Sequence, residues 1–104
     1  MGREHERTPD GRWIVVDGRR WRAEDPELEP VLASRLRSHL GRARSAVRFT
    51  DDDAIRRLAR DRVQLAKEGL GERGDAWWEM SEADRSARAT DRLAELDELA
   101  PPAS

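Results

Sequence analysis

Apolar side chains recur between residues 28 and 47 at steps of three and four: Leu28, Val31, Leu32, Leu36, Leu40, Ala43 and Val47. Helical periodicity stacks these positions in one stripe, which predicts an amphipathic helix to about Arg48, with Pro30 in its first turn. A second helix is expected to begin at T-D-D-D, capped by Thr50 with Asp53 in the reciprocal position. Its buried stripe is Ile55, Leu58, Ala59, Leu65 and Ala66, and Gly69 is its expected left-handed stop. Arg62 falls inside that stripe and needs a carboxylate, a tryptophan face or a place where the stripe exits to solvent, with stacking on Trp77 or Trp21 preferred. Ser81 and Asp84 open a third helix that runs to about Leu99, ahead of Pro101 and Pro102. Its first half offers only alanines, so weak packing is expected there, and its large apolar residues are Leu93, Leu96 and Leu99.

Upstream of the helices the period changes. In R-W-I-V-V-D-G-R-R-W-R two β-prone runs flank Asp17-Gly18, a pair suited to the positive φ angles of a type I′ turn. That register sets Val16 opposite Arg19 and Ile14 opposite Trp21. Ile14, Val16 and Trp21 then share one face, which should pack on a helix because a two-stranded ribbon is marginal alone. Trp13, Val15, Arg20 and Arg22 share the other. The expected architecture is α+β and mostly α: an N-terminal β-hairpin packed on an antiparallel helix pair, plus a peripheral third helix. Residues 1–11 are expected as a flexible arm, 12–80 as the hairpin and two-helix core with a tryptophan loop, 81–100 as the C-terminal helix and 101–104 as a tail.

Composition sharpens this picture. With 104 residues the chain fits one small domain, and only 18 of them are Leu, Ile, Val or Phe, so the aliphatic core is thin. The adjacent Trp77 and Trp78 are then expected to supply missing volume, one plugging the gap between the hairpin and the first two helices. The two rings are not expected to share one pocket. Cysteine is absent, which excludes disulfides and fits a reducing, cytoplasmic setting. The longest apolar run, Trp13 to Val16, cannot span a bilayer, and the polar N-terminal stretch lacks the pattern of a secretory signal. No membrane partner is expected.

The formal net charge is -2, yet residues 30–50 carry Arg35, Arg37, Arg42, Arg44 and Arg48 and no carboxylate. Ser34, Ser38, Gly41 and Ser45 form a line of small residues on the same helix, bordered by arginines. Such a strip suits a phosphate backbone, with Arg35, Arg37, Arg42 and Arg44 as contacts and the hairpin's Arg19, Arg20 and Arg22 extending the footprint. The plainer reading is a solvated helix face whose arginines lay their stems over the core edge.

No catalytic set emerges. His5 and His39 are far apart and match no metal-ligand spacing. G-L-G-E-R-G lacks the preceding strand and the following Lys-Ser/Thr of a phosphate loop. Neither cofactor nor metal is expected. The reading favoured is a small non-enzymatic cytoplasmic protein-interaction or accessory module that binds a protein partner or forms a homo-oligomer, with Trp78, Leu93, Leu96 and Leu99 as candidate contacts. Nucleic-acid binding through the arginines is the alternative.

The residues D-G-R-R-W-R, a following D-P, the arginine-rich helix and L-G-E-R-G-D-A-W-W-E resemble a family of small bacterial proteins that often carry the label "biopolymer transporter Tol". The resemblance covers roughly residues 10 to 80. The label implies membrane-linked transport, and no catalytic residue or cofactor accompanies it.

Overall fold

The computed structural model describes residues 6–102. Three strands, β1 (Glu6–Arg7), β2 (Trp13–Val16) and β3 (Arg19–Arg22), precede three helices, α1 (Pro30–Phe49), α2 (Asp53–Leu70) and α3 (Glu82–Leu99), with a 3-10 turn at Trp77–Glu79. The hairpin has the expected register, Val16 opposite Arg19 and Ile14 opposite Trp21. Its turn places Asp17 at φ 52° and Gly18 at φ 77°, the left-handed pair that local turn chemistry predicts. Glu6 and Arg7, expected within a flexible arm, instead pair antiparallel with Val15 and Ile14 as a third strand. Thr8 holds this entry: its Oγ1 accepts from the Trp13 amide at 3.2 Å, while its own amide donates to the Trp13 carbonyl at 2.9 Å. Residues 1–5, including His5, lie outside the described residues.

The helix boundaries revise two expectations. Glu29 caps α1 by accepting from the amides of Val31 and Leu32, so Pro30 occupies the first turn, where no amide is needed. Asp52, not Thr50, caps α2, with Oδ1 accepting from Ala54 and Ile55 at 2.8 and 3.1 Å. Thr50 stands two residues further out and accepts from the Asp52 amide instead. The left-handed stop is Gly71 at φ 93°, so α2 runs through Gly69. Gly69 serves packing: a Cβ there would lie 2.8 Å from Leu36 and 3.2 Å from the Arg92 Cβ, so all three helices meet at this point. Ser81 caps α3 as expected, accepting from Asp84 at 3.1 Å.

One core cluster joins the helices: Ala33, Leu36 and Leu40 from α1, Ala66 and Leu70 from α2, Ala89, Leu93 and Leu96 from α3. Leu93 and Leu96 are therefore committed to the chain's own interior, and Leu99 is 53% exposed. Weak packing at the start of α3 does not occur. Arg85, in its first turn, is buried against Asp25 and Glu27, and Ala89 is fully covered. The apolar stripes are narrower than their periodicity suggests: Val31 on α1 and Ile55 and Leu58 on α2 are exposed, at 63%, 51% and 57%. No described helix is long and apolar enough to cross a membrane.

Candidate binding site

The tryptophan loop is built by its backbone. Gly71 turns the chain after α2, and the Asp25 amide donates to the Leu70 carbonyl at 2.8 Å, tying the hairpin exit to the helix end. Arg22 reaches the Gly74 carbonyl and Arg88 the Asp75 carbonyl, which clasps the loop from both sides. Trp77 then fills the expected gap at 7% exposure, with Nε1 donating to the Ala23 carbonyl at 3.0 Å. Trp78 is half-buried. It meets Trp77 and Trp13 edge-on, with ring centroids 5.3 and 5.5 Å apart, while Trp77 alone of the neighbouring pair is buried in the gap. The guanidinium groups of Arg12 and Arg22 flank Trp78, leaving it only partly available to a partner.

The face bearing Ile14, Val16 and Trp21 was expected to lie flat on a helix, and instead it forms one wall of a groove. The opposite wall carries Arg44 from α1, Lys67 from α2, and Glu72 and Arg73 from the loop, enclosing about 280 Å³. Trp21 remains 39% exposed and lies near two cations, Arg19 at 4.4 Å and Arg73 at 6.0 Å from its ring centroid. Positive charge exceeds negative here. Burial, and then the neighbouring Arg73 and Arg44, hold the Lys67 ammonium below the usual lysine range. Burial pushes the Glu72 carboxyl above its ordinary range, against the pull of Lys67 and Arg44. Such a site can take an anion that also presents an apolar surface, since the carboxylate or phosphate relieves cation crowding and the apolar part covers Trp21 and Ile14.

The arginines singled out in the sequence separate into two groups. Arg35 pairs with Asp97, Arg37 with Glu24, and Arg42 donates to His39 Nδ1 at 3.1 Å. Those three are engaged within the chain. Arg20 lies over Trp13 at 4.3 Å and Arg19 over Trp21, and exposed Arg44 borders the groove. Ser34, Ser38, Gly41 and Ser45 all face solvent. Arg62 stacks on no tryptophan among the described residues. Trp77 takes Arg85, at 5.6 Å, and Trp21 takes Arg19 and Arg73. Arg62 is half-buried beside Arg42, and its buried Nε has no hydrogen-bond partner among the described residues.

His39 is 1% exposed. Its Nε2 lies 2.7 Å from Asp97, and because Arg42 can only donate to Nδ1, the imidazole proton sits on Nε2 and is donated to the carboxylate. Asp97 is held below the usual carboxylate range, first by that bond and then by Arg35. Both imidazole nitrogens are thus occupied in a structural network. A cleft of about 460 Å³ is likewise built on ion pairs, with Arg85 set against Asp25 and Glu27. No metal-holding group of His, Cys, Asp and Glu occurs among the described residues. Comparison with known protein families, with curated proteins and with solved structures finds no match to this chain.

Proposed function

We propose that this chain is a non-enzymatic protein-interaction or accessory module of the cytoplasm, whose groove takes an acidic partner segment bearing an apolar side chain. The observation that carries the reading is the excess of Arg44, Lys67 and Arg73 over Glu72, facing a wall of Ile14, Val16 and half-open Trp21. Nucleic acid is the second reading, favoured by Arg19 and Arg20 lying on tryptophans and by exposed Arg44.

Tryptophan emission titrated with a synthetic peptide alternating glutamate and leucine tests the proposal. A saturable change is expected. It should weaken about tenfold in Lys67→Glu or Arg44→Glu, and the Glu72→Gln variant should bind more tightly. The same peptide with glutamine for glutamate should not bind. A single-stranded oligonucleotide that binds more tightly, with affinity falling steeply in salt, would replace this reading by the second. Silence from both probes overturns both.

A further inference from the structure

Lys67 is the only lysine among the 104 residues, and it lies in the groove rather than on an open helix face. The way α2 ends sets its surroundings. Gly71 turns the chain left-handed, the Glu72 amide donates back to the Lys67 carbonyl at 2.8 Å, and the Gly71 amide donates to the Glu68 carbonyl at 3.2 Å. A closure of this kind brings together the side chains at its two ends, commonly an apolar pair and here Lys67 and Glu72. Lys67 is half-buried, and its Nζ forms no hydrogen bond or salt bridge among the described residues. Burial, with Arg73 and Arg44 close by, outweighs Glu72 and disfavours the ammonium, so the free amine is more abundant near neutral pH than in an open lysine.

The groove also offers a seat for an anion beside that amine. Arg44 is exposed, and Arg73 donates Nη1 to the carbonyl of its neighbour Glu72, yet neither is in a salt bridge among the described residues. Their guanidinium forks can therefore close on a phosphate. Arg22 of the hairpin lines the groove too, with Nη1 committed to the Gly74 carbonyl. We propose that Lys67 is an acyl-acceptor site, whose amine takes the acyl group of a small acyl phosphate held through its phosphate by Arg44 and Arg73. The acyl chain lies against Ile14 and Val16. Nζ attacks the carbonyl carbon and an amide C–N bond forms. The C–O bond to the phosphate breaks, its electron pair leaves with the phosphate, and the proton shed by Nζ passes to the Glu72 carboxylate and on to solvent. A single bridging oxygen separates phosphorus from carbonyl carbon in such a donor, which matches an amine set beside its anion-binding groups. A thioester on a long phosphorylated arm carries its phosphates too far away. The product is a neutral amide, so the groove loses the Lys67 charge. Release of an acidic partner follows, a consequence that rests on the reading of the groove given above.

Acetyl phosphate incubated with the full chain, with the modified residue mapped by mass spectrometry, tests the site. Lys67 should acetylate at least about tenfold faster than Nα-acetyl-lysine amide at neutral pH. Inorganic phosphate should compete. Phenyl acetate, an uncharged donor, reports the amine's own reactivity. The ratio of the acetyl phosphate rate to the phenyl acetate rate should fall at least about fivefold in Arg44→Gln and in Arg73→Gln, with circular dichroism unchanged. A reactive lysine that binds no phosphate would leave that ratio as it is. Lys67 reacting no faster than the model amine overturns the proposal, and so does a ratio indifferent to both arginines and to phosphate. Titrating the acetylated chain with the glutamate–leucine peptide keeps the two proposals apart. Weakened binding supports release, whereas a chain that acetylates as expected and binds the peptide in neither form overturns the binding reading alone.

Discussion

Asp97 ties α3 to α1 through one carboxylate, which accepts from buried His39 and from Arg35. Its proton affinity is lowered in the folded chain, so its stabilising contribution is complete above the ordinary carboxylate value of 3.8. It is lost as pH falls through the lower folded value. Asp97→Asn should cost about 1–2 kcal/mol at neutral pH in urea denaturation, and the difference from wild type should shrink below about pH 4. An unchanged gap in acid would assign the loss to packing. Arg85 illustrates what a sequence does offer at this scale: Arg85, Ala89, Leu93 and Leu96 continue one stripe of α3 at steps of four, four and three, which marks the arginine as inward-facing. Its carboxylate partners, Asp25 and Glu27, lie about 60 residues away in sequence and carry no comparable local mark.

At the scale of elements, caps and turns obey short-range chemistry, yet four consecutive polar residues leave the capping position ambiguous by a residue or two. Asp52→Ala should destabilise by about 1 kcal/mol in thermal or urea melts, whereas Thr50→Ala should cost no more than about 0.5 kcal/mol. Equal losses would return the cap to Thr50. The hairpin was legible to the residue pair because Asp17-Gly18 fixes both turn and register locally. Where α2 loses its cover was not legible. Ile55 and Leu58 share the phase of Leu65 and Gly69, and periodicity records only the direction a side chain faces. It is silent on whether the facing helix is long enough to reach it. The groove was hidden for a related reason: Ile14, Lys67 and Arg73 come from three separate elements, and each is unremarkable within its own.

Across the whole molecule, few large aliphatic side chains are fully enclosed. Leu36, Leu70 and Leu96 are the largest of them, and Gly69 lets the helices close around Leu36. Indole volume supplements this small interior unevenly. Trp77→Ala should cost about 3–5 kcal/mol, because the ring seals the junction of loop, hairpin exit and helix end. Trp21→Ala should cost about 1 kcal/mol or less and act chiefly on groove binding. Denaturation midpoints of the two variants, read by circular dichroism, separate an indole that supports the fold from one that faces a ligand. Similar midpoints would contradict that division.

The tryptophans also divide the molecule optically. Trp13 and Trp21 sit in the hairpin and Trp77 and Trp78 in the loop after α2, while the far turn between α1 and α2 holds Phe49 as its only ring. Intrinsic emission is therefore a local gauge of the hairpin end. Fraying of the distal helices would dim ellipticity while leaving the fluorescence trace flat, and the lag between the two signals measures how far the ends of this chain unfold as one.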